Sequence, residues 1–183
     1  MATVKMRING KEIIADENKT VLQAALAAGF EIPHMCYSEQ LKPFGACRLC
    51  MVEITKGGRK RLVASCAYPV QEGLIVETDT PQVKKIRKML VELLWPSVPK
   101  LALEYGITES RFSNDHSDCS LCGLCVRYCA ELGDKKVLYF KGRGINREIG
   151  IVPELADNCV YCQKCFSFCN GGKILELAGK PWQ

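Results

Sequence analysis

The chain has 183 residues, with 25 Lys and Arg against 20 Asp and Glu, and a formal net charge of +5. Its composition, 48% hydrophobic and 25% charged, is typical of a globular protein and excludes a chain that is disordered throughout. No apolar run approaches the roughly 18 residues that a membrane-spanning helix needs, and the amino-terminal residues lack the apolar core of a signal peptide. We therefore expect a cytoplasmic protein without direct membrane insertion. The 12 cysteines are far above ordinary usage, and in a reducing compartment they indicate metal binding rather than disulfides.

The first predicted elements are a hairpin and a helix. Residues 4–8 alternate apolar and polar side chains, Asn9-Gly10 is a strong signal for a tight hairpin turn, and residues 12–15 resume a strand. Thr20 is followed three residues later by Gln23, which is the pattern of a capping box. The apolar face of the residues that follow predicts a helix that packs on the hairpin.

A first group of cysteines follows the helix with the spacing C-x10-C-x2-C-x15-C. Plant-type two-iron ferredoxins use C-x4-C-x2-C and a distant fourth Cys. The first gap is longer here, so the loop of residues 37–46 is extended, while the close pair and the remote fourth Cys are retained. We predict that one [2Fe–2S] cluster is held by Cys36, Cys47, Cys50 and Cys66.

Further strands are predicted over residues 51–55, 61–64 and 74–77. A hairpin, a helix across it, a ligand loop and more strands together predict a β-grasp ferredoxin domain over residues 1–79. The basic run of residues 56–61 is interpreted as a charged hairpin tip rather than a nucleic-acid site, because no platform of aromatic side chains accompanies it.

A helical linker is predicted over residues 80–113. Thr80 at the cap and Pro81 at the first position begin a helix, and Pro96 and Pro99 are expected to end it. The expected apolar face consists of Val83, Ile86, Leu90, Leu93 and Leu94. Lys84, Lys85, Arg87 and Lys88 are expected to form a solvated basic face, with docking of a flavoprotein partner as the alternative.

The remaining eight cysteines form two copies of one motif, C-x2-C-x2-C-x3-C. This run is the signature of ferredoxins with [4Fe–4S] clusters, in which the fourth Cys of each run ligates the other cluster. The first predicted cluster is therefore held by Cys119, Cys122, Cys125 and Cys169. The second is held by Cys129, Cys159, Cys162 and Cys165, in a two-cubane ferredoxin-like domain over residues 114–183.

Zinc is the alternative for these cysteines, since C-x2-C pairs also build four-cysteine zinc sites. Such sites usually contain two pairs separated by a spacer, whereas here four cysteines occur within eleven residues and the run is repeated. We therefore favour two [4Fe–4S] clusters. All 12 cysteines are then used as ligands, and no motif for catalysis on a substrate remains. The complete fold prediction is α+β.

The motifs resemble a known family of iron–sulfur subunits. Ile32-Pro-His-Met-Cys36, followed by Gly45-Ala-Cys-Arg-Leu-Cys-Met-Val-Glu53, is similar to the two-iron domain of the large iron–sulfur subunit of respiratory complex I. The segment Cys119-Ser-Leu-Cys-Gly-Leu-Cys-Val-Arg-Tyr-Cys-Ala-Glu131 is similar to the cubane segment of the same subunits. The diaphorase iron–sulfur subunits of soluble hydrogenases, NAD-linked formate dehydrogenases and bifurcating transhydrogenases share these motifs, and the resemblance covers nearly the whole chain.

One family feature is absent from the sequence. The family usually carries an additional cluster bound by H-x3-C-x2-C-x5-C, whereas His116 precedes Cys119 by only two residues and no C-x5-C follows. We therefore interpret His116 as a polar linker residue. The large carboxyl-terminal domain of the complex I subunit has no counterpart in these residues, so we expect a short subunit of a smaller assembly.

The resemblance implies the function. We expect an electron-transfer subunit of a multi-subunit NAD(P)H-linked oxidoreductase, in a hetero-oligomer with a flavin-containing NAD(P)H-oxidising subunit and a further redox subunit. The alternative is a free-standing soluble polyferredoxin. The iron–sulfur subunit of a succinate dehydrogenase or fumarate reductase is disfavoured, because that family has a short first gap.

Overall fold

The computed structural model describes residues 2–95, 97–112, 119–162, 164–165, 167 and 169. It begins with the predicted hairpin of β1 (Thr3–Ile8) and β2 (Lys11–Asp16). Asn9 and Gly10 both have positive φ, 49° and 79°, which the tight hairpin turn requires. The Asn9 amide also bonds to Thr78, accepting from its N–H at 2.9 Å and donating to its hydroxyl at 2.8 Å.

Three further strands complete a mixed sheet: β3 (Met51–Lys56), β4 (Arg59–Ala64) and β5 (Ile75–Glu77). The strand order is β2-β1-β5-β3-β4, in which β1 and β5 are parallel and the other neighbours antiparallel. The helix α1 (Val21–Ala27) begins with the predicted capping box of Thr20 and Gln23. The sheet and α1 enclose the main core, which is compatible with a 2Fe–2S ferredoxin domain and includes Met6, Ile8, Leu22, Val52, Ile54 and Val76.

The predicted linker helix is α2 (Pro81–Leu94), and its cap is Thr80. The prediction that Pro99 only terminates a helix was wrong, because Pro99 is the first residue of a second helix, α3 (Pro99–Glu104). The ring of proline fixes φ at a helical value, and the first helical position has no intrahelical partner for an N–H. Proline therefore both stops one helix and starts the next.

The predicted faces of α2 need a second correction. The buried residues of α2 are Val83, Arg87, Val91 and Glu92, whereas Leu93 is 46% exposed. Three of the basic residues, Lys84, Lys85 and Lys88, are exposed as expected, but Arg87 is only 4% exposed. Its position one helical turn from Val83 and one from Val91 places it on the packed face.

The second part of the chain contains α4 (Leu124–Glu131), a hairpin of β6 (Leu138–Lys141) and β7 (Glu148–Ile151), and α5 (Ala156–Cys162). Short 3-10 turns lie at Gly144–Asn146 and Pro153–Leu155. His116 lies outside the described residues. Within the part of the chain that is described, no helix is both long and apolar enough to cross a bilayer.

Candidate metal centres

The first four cysteines lie together at one end of the sheet. Cys50 directly precedes β3 and Cys66 follows β4, and the antiparallel register of these strands pairs Met51 with Ala64. Both the N–H and the hydroxyl of Ser65 donate to the carbonyl of Cys50, at 3.1 and 2.8 Å. The register therefore holds Cys50 beside Cys66, while the other two ligand candidates lie in the long connection between α1 and β3.

The four thiols of this group contact one another in a chain. The thiol of Cys36 is within hydrogen-bonding distance of those of Cys47 and Cys66, and the thiol of Cys66 also reaches that of Cys50. All four residues are buried, at 8% exposure or less. The backbone N–H of Cys47 donates to Sγ of Cys36 at 3.4 Å. Sulfur atoms surrounded in this way are shielded from water and receive donors that favour a thiolate.

The hydrogen bonds among the four thiols lower the pKa of two of them and raise the pKa of the other two. Hydrogen bonds from Cys47 and Cys66 lower the pKa of Cys36 to about 2, and a hydrogen bond from Cys66 lowers that of Cys50 to about 6. The pKa values of Cys47 and Cys66 are raised, chiefly because their protons are held in these bonds. Thiolates are the ligating form of cysteine, so the hydrogen bonds that lower the pKa of Cys36 and of Cys50 favour the form that binds a metal.

The donor set fits an iron–sulfur cluster. Within the described residues, no three His, Cys, Asp or Glu side chains are arranged to hold a single metal ion. A two-iron cluster does not need three protein ligands around one metal ion, because its four thiolates are shared between two iron atoms. Four buried sulfurs in mutual contact, with backbone N–H groups directed at them, are the donors that such a cluster uses.

The remaining eight cysteines lie around α4 and α5. Cys125 and Cys129 are both on α4, one turn apart, and Cys159 and Cys162 are on α5. Gly123, at φ +75°, begins α4 and turns the chain between Cys122 and the helix. Cysteines of both runs contribute to one buried cluster, so the two runs meet there; these are Cys119, Cys125, Cys129, Cys159, Cys165 and Cys169.

The electrostatic neighbours of these thiols connect the two cysteine runs. Burial is the largest cause of the raised pKa of Cys122 and of Cys125; Cys119 and Cys169 raise both further, and Cys165 also raises that of Cys125. Cys129 and Cys162 raise the pKa of Cys159, and Cys129 also acts on Cys165. Cys129 thus has electrostatic neighbours in the second run and Cys169 in the first, as in the two predicted ligand sets, although Cys165 also acts on Cys125. The two sets of four stay a prediction.

The second set also lines a small cavity. Cys129, Cys159, Cys162 and Cys165 all contribute to its wall. The N–H of Val137 donates to Sγ of Cys129 at 3.2 Å. Burial raises the pKa of Cys165 to about 12, and that of Cys125 in the first set to about 12. A buried thiolate needs compensating positive charge, which iron would supply.

The two parts of the chain meet at the cysteines. Cys122 packs against a buried apolar cluster that includes Met35, Cys36 and Cys47. From α4, Arg127 donates Nη1–H to the carbonyl of Cys36 at 3.1 Å. The first cubane candidate therefore lies against the two-iron candidate.

Sequence reasoning missed the two buried arginines at this site. Arg87 donates Nε–H to the carbonyl of Leu49 at 3.2 Å, and its spacing from Val83 and Val91 is the signal that could have placed it. Arg127 is 8% exposed. It lies between Cys125 and Cys129, where a charged residue facing inward could have been suspected.

Fold and cysteine geometry together define an iron–sulfur protein of the electron-transfer class. Residues 1–81 match the family described as a 2Fe-2S iron-sulfur cluster binding domain. The chain is similar to a subunit of the NADH-quinone oxidoreductase of Rickettsia felis, at 35% identity over 96% of this chain and 25% of the relative. It is also similar to the mitochondrial 78 kDa subunit of NADH-ubiquinone oxidoreductase of Candida albicans, at 30% identity over 99% of this chain and 23% of the relative.

A solved structure supports the same relationship. A chain of an NAD+-reducing [NiFe]-hydrogenase in the H2-reduced state superposes with a TM-score of 0.73 and 31% identity, covering 82% of this chain and 76% of that one. This protein thus belongs to the family of iron–sulfur subunits that includes that hydrogenase chain, the Rickettsia felis subunit and the 78 kDa subunit. It spans about a quarter of the length of the curated relatives that it matches.

Proposed function

We propose that this chain relays single electrons between a flavin-containing NAD(P)H-oxidising subunit and a further redox subunit. It would do so in the cytoplasm, within a hetero-oligomeric oxidoreductase of the hydrogenase, formate dehydrogenase or transhydrogenase type. One [2Fe–2S] and two [4Fe–4S] clusters, when bound, would supply one-electron chemistry. The proposed organisation is a two-iron domain over residues 1–79, a helical linker over 80–113 and a two-cubane domain over 114–183.

The ligand assignment rests on the thiol contacts. Cys36, Cys47, Cys50 and Cys66 are proposed to hold the two-iron cluster, since their sulfurs contact one another and are buried together. Cys119, Cys122, Cys125 and Cys169 are proposed for the first cubane, and Cys129, Cys159, Cys162 and Cys165 for the second. The exchange of Cys129 and Cys169 between the runs is supported by the electrostatic neighbours of each thiol.

The observation that carries the proposal is the packing of Cys122 against the cluster containing Cys36 and Cys47. Because Cys122 is a ligand candidate of the first cubane, this packing leaves only a short electron-transfer path between the first cubane and the two-iron centre. Cys125 and Cys129 lie on the same helix, although they are assigned to different cubanes. These two observations support the order two-iron centre, first cubane, second cubane.

The partners are inferred from the relatives. These include an NADH-quinone oxidoreductase subunit, an NAD+-reducing hydrogenase and, from Geobacter sulfurreducens, an NADPH-Fe(3+) oxidoreductase subunit alpha that is 28% identical over 98% of this chain and 25% of the relative. The name of each of these proteins pairs a nicotinamide nucleotide with another redox reaction. A relay subunit with no substrate motif of its own needs such a partner.

An anaerobic pull-down of the native protein tests the proposal. Iron, flavin and co-purifying subunits would be quantified together. We expect about 10 iron atoms per chain, two from one cluster and four from each of two others, with a stoichiometric flavoprotein and a further redox subunit. The same iron content in a chain that elutes alone would support the polyferredoxin instead, and a colourless chain with zinc would overturn both.

A further inference from the structure

The extended loop of residues 37–46 is bound by α4. The backbone carbonyl of Lys42 accepts a hydrogen bond from Nη2 of Arg127. The backbone N–H of Lys42 donates to Oε2 of Glu131 at 3.0 Å. The ring of Phe44 lies 4.9 Å from the Arg127 guanidinium carbon. Residues of this extended loop therefore contact the second part of the chain.

Arg127 joins this loop to the first cysteine of the group. Its Nη1–H donates to the carbonyl of Cys36 at 3.1 Å, and its Nε lies 3.4 Å from Oε1 of Glu131. The side chain is buried, so these contacts replace water as the partners of its donors. A planar guanidinium with five fixed donors can satisfy two carbonyls, a carboxylate and an aromatic face at once, whereas an ammonium cannot.

We propose that Arg127 is a positioning residue that holds the Cys36–Cys47 loop against α4 and thereby sets electron transfer between the two-iron centre and the first cubane. The inference rests on the proposed function. Arg127 is two residues from Cys125 along α4 and is hydrogen-bonded to the main chain of Cys36. It thus links a ligand candidate of each centre through one side chain.

Removing the Arg127 guanidinium should change the distance between the two-iron centre and the first cubane, and not the ligands of either cluster. Without the guanidinium, the carbonyls of Cys36 and Lys42 lose their donor, and the loop is free to separate from α4. Cys36 remains in its sulfur contacts with Cys47 and Cys66, which are made within the sheet domain. The clusters should therefore assemble, while the contact of Cys122 with the two-iron site loosens.

The test compares Arg127→Gln with the wild-type full chain, purified anaerobically with its clusters. Two readouts are taken: the spin relaxation of the reduced two-iron EPR signal, which reports magnetic coupling to a nearby cubane, and the rate of electron equilibration after flash reduction. We expect normal iron content, loss of the coupling and roughly a tenfold slower equilibration, since misplacing reacting groups by about 1 Å can lower rates up to about 100-fold. Arg127→Lys should retain only part of the magnetic coupling and part of the rate of electron equilibration.

Arg143→Gln is the matched control, because it removes an exposed guanidinium from the same part of the chain. If Arg127→Gln retains the wild-type coupling and rate, the inference is overturned. If that variant loses iron, Arg127→Lys decides: it keeps the positive charge but cannot donate to the carbonyls of both Cys36 and Lys42, and a wild-type coupling and rate in that variant then overturn the inference. Absence of the two-iron or cubane signals from the wild type would contradict the proposed function instead.

Discussion

The Nε–H of Arg87 donates a hydrogen bond of 3.2 Å to the carbonyl of Leu49, the residue before Cys50. The same guanidinium donates Nη2–H to the carbonyls of Met51 at 3.0 Å and Thr78 at 3.1 Å. α2 is therefore fastened to the peptide groups on both sides of a ligand candidate. A buried cation that satisfies three buried carbonyls fixes the loop more firmly than apolar packing alone, because each carbonyl would otherwise lack a donor.

Replacing Arg87 should destabilise the protein strongly. Arg87→Met leaves three carbonyls without a donor, which we expect to cost about 4 kcal/mol. At roughly 2–4 °C per kcal/mol, the Tm should fall by about 10 °C. Thermal unfolding followed by circular dichroism measures the change. Lys88→Met, at an exposed position of the same helix, is the control and should stay within about 0.5 kcal/mol of the wild type. Equal effects of the two variants would contradict the role of Arg87.

Gly123 should not tolerate a side chain. Its φ is +75°, and a Cβ would lie 2.8 Å from Cζ of Phe140 and 3.3 Å from Cε1 of Phe44. Gly123→Ala should therefore cost about 1–3 kcal/mol in backbone strain and a further penalty for pushing the two rings apart. Chemical denaturation measures the loss.

The control for this variant is Gly144→Ala. Gly144 also has positive φ, +57°, but nothing lies within 4 Å of its Cβ position. Both variants incur backbone strain, and only Gly123→Ala adds a clash. The difference between their losses therefore measures the clash of the added Cβ with the rings of Phe140 and Phe44, and equal losses would contradict that clash.

The ion pair of Glu92 and Arg111 should make stability depend on pH. Nε of Arg111 lies 2.6 Å from Oε1 of Glu92, and Nη2 lies 2.8 Å from Oε2. These side-chain bonds, and then the bond from the Arg111 backbone N–H, lower the pKa of Glu92 from 4.5 to about 2. Because the folded value is below the unfolded one, the contribution is complete above about pH 4.5 and is lost as the pH falls towards 2.

Glu92→Gln tests that sign. The Tm difference between wild type and Glu92→Gln should be constant from pH 7 to about 5 and should shrink as the pH is lowered further. Glu104→Gln, at an exposed position of α3, is the control for the loss of one carboxylate. A difference that grows on acidification would contradict the assigned direction.

The exchange of ligands between the two cubane sets predicts matched phenotypes. Cys169→Ser should lose the same cluster signals as Cys119→Ser, although the two residues are 50 positions apart in sequence. Cys129→Ser should match Cys159→Ser instead. Each variant is expected to lose up to about 4 iron atoms per chain, measured by iron analysis and EPR. If Cys129→Ser matched Cys119→Ser, each run would bind its own cluster, and the assignment would be wrong.

Local chemistry made much of the fold predictable. The hairpin turn at Asn9-Gly10, the capping box at Thr20 and the start of α2 at Pro81 were all confirmed, because each depends on residues within a few positions of one another. The family resemblance was confirmed by the similar proteins. The start of α3 at Pro99 was missed, since the sequence alone does not decide whether this proline ends or starts a helix.

The sequence by itself determined which residues carry sulfur and how they are spaced in runs, because ligand spacing within a run is a local constraint on one loop. Only the tertiary structure decided how the groups meet. The burial of Arg87 and Arg127, and the contact of Cys122 with the Cys36–Cys47 cluster, join residues that are 36 to 91 positions apart. The physical reason is that a buried carbonyl must find a donor, and the nearest donor is set by how elements pack rather than by how they follow one another.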